Sequence, residues 1–178
     1  MPSHAQAERA VLAQALADAG PDAPTLCEGW RTRDLAAHLV ARERRPDSMP
    51  GIVVKPLAGW TDRVRQKYAE RPYEELVEAF RSGPPLLSAA KVPGLDSAMN
   101  TTEHFVHAED VLRARGDWAP RALPAAQQDG LWRSLRAAGR RLFRHSPVGV
   151  TLVTPDGRRE TVVTTPDGVE LHGANGYL

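Results

Sequence analysis

Apolar residues recur at helical spacing along most of this chain, and the pattern changes to short β-branched runs only towards its end. Leu12, Ala15 and Leu16, for example, lie on one stripe, which is typical of an amphipathic helix. From Val148 onwards, runs such as residues 150–153 are separated by Pro-Asp-Gly sequences, which favour tight turns between strands. The sequence therefore predicts a mainly helical fold, a helical bundle followed by a small C-terminal β-hairpin or meander.

Local end signals place the boundaries of the predicted elements. Ser3 and Gln6 form a capping-box pattern at the start of the first helix, Thr32 is expected as the N-cap of the second, and Pro46 ends it. The predicted helices span residues 3–17, 32–45, 61–70, 72–81, 97–115 and 124–143, and the predicted strands span residues 150–153, 161–164 and 169–171. Residues 46–60 contain three prolines and two glycines, and we expect them to form an irregular loop.

The length of 178 residues suits one domain with a small addition. The change of period predicts a helical bundle at residues 1–146 and a short β extension packed on it at residues 147–178. The first ten residues lack the apolar core of a secretory signal, and no window approaches the ~20 apolar residues of a membrane span. We therefore expect a cytoplasmic protein that does not bind membranes.

Composition and charge narrow the classes of function. The single cysteine excludes an intramolecular disulfide and a zinc site built on several thiolates. The net charge of +1 lacks the overall positive charge of a nucleic-acid-binding protein, and phosphate-binding loops, nucleophile elbows and H-E-x-x-H motifs are missing from the sequence. Any metal site must therefore be built mainly from carboxylates and some of the six histidines.

A carboxylate and an imidazole share one face of the fifth predicted helix. Glu103, His107 and Asp110 lie three or four residues apart, so their side chains follow one stripe. The same stripe carries three apolar residues, Met99, Val106 and Ala114. We expect it to face inward, where ionisable groups need partners. One partner is a divalent metal on Glu103 and His107, with Asp110 accepting the free ring N–H of His107. The alternative is that Glu103 and His107 hydrogen-bond to each other or to an arginine in a solvated groove.

His38 adds a third candidate ligand. It lies between Leu35 and Leu39 on the apolar face of the second predicted helix, where a lone histidine is typically a core residue. Two inward histidines and a carboxylate on two helices favour a metal site, because bundle interiors bind metals through side chains on facing helices. Three protein ligands with one free position is also the arrangement of catalytic zinc.

Other candidate residues are weaker. His104 pairs with His107 at a spacing of three, but it projects about 100° away from Glu103. Cys27 lies just ahead of the second helix, and we expect a small buried apolar residue there in preference to a reactive thiol. A solvated helix face, or alternatively a surface for an anionic partner, is predicted for five arginines, Arg133, Arg136, Arg140, Arg141 and Arg144.

The run P-T-L-C-E-G-W-R-T-R-D-L-A-A-H-L at residues 24–39 resembles the opening motif of the DinB-like superfamily. It is most similar to proteins with a mycothiol-dependent maleylpyruvate isomerase N-terminal domain. Residues 42–47 and the later Glu103-x-x-x-His107-x-x-Asp110 are similar to a small actinobacterial branch of that family. The resemblance spans roughly residues 5–145. It implies a four-helix bundle that binds a divalent metal through His38, Glu103 and His107.

The resemblance also implies a chemistry. In the isomerase, a zinc ion binds the thiolate of mycothiol, which then adds to the substrate. A metal-dependent, thiol-utilising transferase or isomerase is therefore expected, with a small-molecule thiol and a small-molecule substrate as partners. Zn²⁺ is the first expectation for two histidines and a glutamate, with Ni²⁺, Fe²⁺ and Mn²⁺ as alternatives.

Two departures from the family pattern leave other functions open. The larger C-terminal domain of the isomerase has no match in the residues from Val148 onwards, so the substrate is not assigned. The position after the glutamate is phenylalanine-like in relatives and is His104 here. The alternatives are a non-catalytic metal-binding or interaction protein and a metal-free helical regulator. A monomer or homodimer is expected in each case.

Overall fold

Helices dominate the described part of the chain, which is residues 3–52, 54–85, 95–116 and 118–173 of a computed structural model. The helices are α1 (His4–Ala19), α2 (Thr32–Arg44), α3 (Ala58–Ala69), α4 (Tyr73–Arg81), α5 (Leu95–Arg113) and α6 (Ala125–Leu142), and the strands are β1 (Gly149–Val153), β2 (Arg159–Val163) and β3 (Gly168–His172). The predicted mainly helical fold with a small C-terminal sheet is confirmed. Within the described ranges, no helix is long and apolar enough to cross a membrane.

Capping interactions explain where the first two helices begin. The Ser3 hydroxyl accepts the N–H of Gln6 and the Gln6 side chain accepts the N–H of Ser3, so the predicted capping box is confirmed. Thr32 is the first residue of α2, and the N-cap is Arg31. The Thr32 hydroxyl donates to the carbonyl of Gly20, and the carboxylate of Asp34 accepts the N–H of Arg31 at 3.1 Å.

The irregular loop predicted at residues 46–60 is wrong. Two 3₁₀ turns occupy Pro46–Ile52 and Lys55–Leu57, and α3 begins directly after them at Ala58. Proline suits the first positions of a helical turn, because its fixed φ is already helical and the missing N–H would have no partner there. Pro56 takes such a position in the second turn. Pro46 and Pro56 therefore lie at the starts of the two turns, and Pro50 lies inside the first, where the sequence pattern was interpreted as a break.

By their contacts, residues 1–118 and 119–178 form two compact units. In the first unit, α1, α2, α4 and α5 contribute to one hydrophobic core, whose largest fully buried apolar side chains are Leu12, Leu16, Leu35, Leu39, Val40, Leu76, Phe80 and Val111. Fully burying a side chain of this size stabilises the fold by about 1.5–3 kcal/mol. The predicted division of the chain at residue 146 stays a prediction.

His104 lies in this core. The side chain is 1% exposed, its Nδ1 lies 3.1 Å from the carbonyl oxygen of Ala5, and its ring packs edge-on against Phe80. In the described part of the chain, no group hydrogen-bonds to its Nε2. Burial, aided by the positive charge of Arg9, lowers the pKa of His104 to about 4. The imidazole is therefore neutral at pH 7 and fills the core.

The second unit contains a three-stranded sheet with β1 in the centre. β1 pairs antiparallel with β2 and parallel with β3, which gives the order β2-β1-β3. The predicted hairpin is confirmed, whereas a meander would place β2 in the centre. Residues 164–167 cross the beginning of β1, where the N–H of Gly149 donates to the carbonyl of Asp167 at 2.8 Å. A Cβ at Gly149 would lie 3.2 Å from atoms of Thr165 and Asp167, so this crossing favours glycine.

The α6 helix packs on this sheet through a second core. Trp132 contacts a buried apolar group made of Val150, Leu152 and Val162. Gly139 lies where β2 approaches α6 most closely, because a Cβ there would be 2.7 Å from Cγ1 of Val162. Glycine costs a helix about 1 kcal/mol relative to alanine, and here the close packing offsets that cost.

Replacing Gly139 by alanine is expected to destabilise the second unit by roughly 1–3 kcal/mol, because the new methyl group would overlap Val162. The matched control is Gly130→Ala in the same helix, where an added Cβ meets nothing within 4 Å. That variant should gain roughly 0.5–1 kcal/mol from helix propensity alone. Urea denaturation followed by circular dichroism measures both. Equal stabilisation by the two substitutions would contradict the packing role of Gly139.

The neutral His104 is expected to make stability depend on pH. An unfolded histidine has a pKa of about 6.5, whereas the pKa of folded His104 is about 4. Between these values the unfolded chain binds a proton that the folded chain does not, so the free energy of unfolding falls as the pH is lowered through this window. The loss should be on the order of 3 kcal/mol, and His104→Phe should remove it.

The measurement is the difference in unfolding free energy between the wild type and His104→Phe from pH 8 to pH 4. Contributions of all other ionisable groups cancel in this difference. It should be constant near pH 8 and shift in favour of the variant below about pH 6.5. Parallel stability profiles over the whole range would show that His104 is not a neutral core residue.

Candidate metal centre

Three predicted ligands meet between α2 and α5. His38 of α2 and Glu103 and His107 of α5 each offer one donor atom, and these atoms all lie within 4.8 Å of one another. His38 Nε2 is 3.9 Å from Glu103 Oε1, and the rings of His38 and His107 meet edge-on with centroids 5.7 Å apart. Their side chains are 12%, 26% and 17% exposed, so the group is partly buried and open on one side.

The local sequence explains this convergence. Leu35 and Leu39 are buried in the shared core. His38 lies on the same face of α2 as these two residues, so its side chain also points inward. On α5, a spacing of four residues rotates the side chain by only about 40°, which keeps Glu103 and His107 together. Val106 was expected on the same inward stripe, but it is 47% exposed.

Helix geometry explains this difference. A spacing of three residues turns the helix about 60° in the opposite sense, so Val106 lies at the far edge of the stripe. Ala114, just beyond α5, is half-buried, and the side chain of Met99 lies outside the described residues.

Arg42 is a member of this site that the sequence pattern did not single out. Its Nε lies 2.8 Å from Glu103 Oε1, and its Nη1 donates to Oδ1 of Asn100 at 2.8 Å. Burial acts to raise the pKa of Glu103, but the neighbouring His38 and the positive charge of Arg42 outweigh it and hold that pKa below its usual range. The sequence signal that could have identified Arg42 is its spacing, because it follows His38 by four residues on α2 and so lies on the same face. The arginine contact expected in the metal-free alternative is therefore present.

Trp30 and Arg65 border the His38 side of the site. The centre of the Trp30 ring lies 5.2 Å from that of the His38 ring. The guanidinium of Arg65 lies 5.1 Å from the centre of the Trp30 ring and also forms an ion pair with Asp34. Trp30 therefore packs against His38 with its ring tilted, and Arg65 makes a cation–π contact with Trp30.

Asp110 and Cys27 lie on the other side of His107. Oδ2 of Asp110 is 3.0 Å from His107 Nδ1, which is the position predicted for a group that accepts the free ring N–H. The Cys27 thiol donates to the same oxygen at 3.2 Å and lies 3.9 Å from His107 Nδ1. Burial, together with the hydrogen bond to Asp110, raises the pKa of Cys27 to about 11. Cys27 is therefore a half-buried, hydrogen-bonded thiol, and the expected apolar core position is wrong.

Backbone hydrogen bonds fix the loop that carries Cys27. The N–H of Leu26 donates to the carbonyl of Asp110 at 3.0 Å, which attaches the loop to α5. The Thr25 hydroxyl accepts the N–H of Cys27 at 3.2 Å, and the N–H of Trp30 donates to the carbonyl of Cys27 at 3.0 Å. Both the N–H and the carbonyl of Cys27 are thus held by hydrogen bonds.

Two groups of three side chains within the described ranges place donor atoms within 4.8 Å of one another. They are His38, Glu103 and His107, and Cys27, His107 and Asp110. His104, the predicted rival ligand, belongs to neither group, because its ring turns into the core against Phe80. His107 is common to both groups.

Comparison with known proteins agrees with the sequence motifs. The family model of the mycothiol maleylpyruvate isomerase N-terminal domain matches residues 3–112, which is well over half of the chain and includes all three predicted ligands. Searches of curated proteins and of solved structures find no match. The chain therefore belongs to the mycothiol maleylpyruvate isomerase N-terminal domain family.

Proposed function

We propose that this protein is a metal-dependent enzyme that uses a small-molecule thiol of the mycothiol type to transfer or isomerise a small substrate. The metal is bound by His38, Glu103 and His107. The observation that carries the proposal is the convergence of these three donor atoms within 4.8 Å, in a chain of a mycothiol-related family.

The donor set suits a catalytic divalent metal. Two imidazoles and one carboxylate are a common set for zinc, and Ni²⁺, Fe²⁺ and Mn²⁺ accept the same ligands. Three protein ligands leave a fourth position for water or a thiolate, and the partial exposure of Glu103 keeps that side accessible. Bound there, the metal would supply Lewis acidity that lowers the pKa of a water or thiol, so that a nucleophile forms at neutral pH.

The neighbouring residues of the chain prepare the ligands for this role. Asp110 accepts the Nδ1 proton of His107, which fixes the tautomer and leaves Nε2 available to the metal. Arg42 holds Oε1 of Glu103 and so limits the rotation of this carboxylate. Trp30 packs against His38 and limits its rotation.

The proposal includes the four-helix bundle of the family and a cytoplasmic site of action. The core shared by α1, α2, α4 and α5 supports the bundle. The cytoplasm suits the chemistry, because small-molecule thiols are kept reduced there.

The first test is metal binding. Tag-free protein is expected to bind one equivalent of Zn²⁺ by isothermal titration calorimetry and elemental analysis. His38→Ala and Glu103→Gln should each weaken this binding by more than about 100-fold, because a lost ligand should cost more than the 10–100-fold typical of the groups that orient ligands. His145→Ala is the matched control, since His145 is exposed and lies outside both donor groups, and it should bind Zn²⁺ as the wild type does.

Circular dichroism of the metal-free variants checks that each retains the fold. Substoichiometric Zn²⁺ in the wild type at saturating concentrations would contradict the proposal and favour a metal-free helical regulator. An equal loss of Zn²⁺ from His145→Ala and from His38→Ala would contradict the assignment of His38, Glu103 and His107 as the ligands.

The second test is thiol binding. Zn²⁺-loaded protein should be stabilised by mycothiol, by about 2.7 kcal/mol at a hundredfold excess over Kd, which corresponds to roughly 5–10 °C in Tm. S-methylated mycothiol is the control ligand, because its sulfur has no proton to lose and binds a metal weakly. It should give little shift, and mycothiol should give little shift with metal-free protein or with His38→Ala.

Glutathione compares a second cellular thiol under the same conditions. Zn²⁺ binding without a thermal response to either thiol would contradict thiol-dependent catalysis. That result would support the alternative of a non-catalytic metal-binding protein.

A further inference from the structure

The second donor group has the shape of a metal site in its own right. Cys27 Sγ, His107 Nδ1 and Asp110 Oδ2 form a closed triangle with sides of 3.9, 3.2 and 3.0 Å. Ligand atoms around a tetrahedral zinc with ordinary Zn–S, Zn–N and Zn–O bonds lie about 3.3–3.6 Å apart. The observed separations bracket this range, so a cation requires only small side-chain movements.

The backbone already holds these donors in place. His107 and Asp110 lie three residues apart on one face of α5, and the Leu26 hydrogen bond to the Asp110 carbonyl brings Cys27 to the same face. Little conformational entropy is therefore lost when a cation binds, which favours affinity.

Charge also favours a cation at this position. A thiolate and a carboxylate together neutralise a divalent cation, and in the described part of the chain no lysine or arginine forms an ion pair with Asp110. In the other group, by contrast, the single carboxylate of Glu103 is already paired with Arg42. The thiolate further selects for soft cations, which bind sulfur more strongly than oxygen.

We propose that Cys27, His107 and Asp110 form a second metal locus, specific for a soft, thiophilic divalent cation such as Cd²⁺. The cation takes the place of the proton that Cys27 shares with Asp110, and the Nδ1 proton of His107 moves to Nε2. One proton therefore leaves for each cation bound, and no electron is transferred.

The two loci compete for His107. With its proton on Nδ1 the ring offers Nε2 towards His38 and Glu103, and with its proton on Nε2 it offers Nδ1 towards Cys27. The locus that binds a metal therefore determines the tautomer of His107. The second locus uses neither His38 nor Glu103, so it stands independently of the proposed function.

The test is Co²⁺ absorption in thiol-free buffer. A thiolate bound to Co²⁺ gives an intense near-ultraviolet charge-transfer band that imidazole and carboxylate ligands do not give. Cys27 is the single cysteine of the chain, so any such band reports this locus alone. The band is expected in His38→Ala, where competition for His107 is weakened, and it should be absent when Cys27→Ser, a nearly isosteric change, is added to that variant.

Cd²⁺ affinity provides a second measurement. In the His38→Ala background, Cys27→Ser should weaken Cd²⁺ binding by more than about 100-fold, and Asp110→Asn should weaken it by 10–100-fold. Titration in weak buffer should release one proton per Cd²⁺.

Absence of the charge-transfer band from both the wild type and His38→Ala at saturating Co²⁺ would overturn the proposal. If the wild type still bound Zn²⁺ through His38, that result would leave the proposed function intact. A band in His38→Ala together with absent thiol stabilisation would support the second locus and contradict the proposed function.

Discussion

The hydrophobic core shared by α1, α2, α4 and α5 sets the spacing on which both donor groups depend. Leu35 and Leu39 hold α2 in this core, and Val111 holds α5. The first three donors therefore meet through packing, without a covalent link. Helices position ligands more precisely than loops do. The packing of the apolar core therefore fixes the distances between the polar side chains of the site. On the loop side, the same precision comes from backbone hydrogen bonds around Cys27.

Each partly buried acid of the site already has a partner, and the choice of partner divides the site into two environments. Glu103 is bound by Arg42, whereas Asp110 accepts hydrogen bonds from a thiol and an imidazole. Unpaired carboxylates in such positions would cost several kcal/mol, so these contacts stabilise the fold before any ligand arrives. A cation therefore exchanges existing contacts for new ones.

Much of the fold follows from local signals, and much of the site from helical spacing. The capping box at Ser3 predicts the start of α1, and spacings of three and four predict that Glu103, His107 and Asp110 share a face. Contacts between distant segments have no such signal. Cys27 meets Asp110 across 83 positions of the chain, and His104 meets Phe80 on another helix, so neither environment follows from its neighbours in sequence. The central position of β1 likewise depends on a crossing that Gly149 permits, and strand patterns alone do not contain this order.

The hydrogen bond from Leu26 to Asp110 has a consequence for motion. The last four carbonyls of a helix have no partner within the helix, and the carbonyl of Asp110 is one of these in α5. The loop therefore closes the end of the helix, and the helix end in turn anchors the loop. Opening either one breaks the same bond, so both are expected to unfold locally as one cooperative unit. Fraying at the end of α5 is therefore expected to move Cys27 away from Asp110 as well.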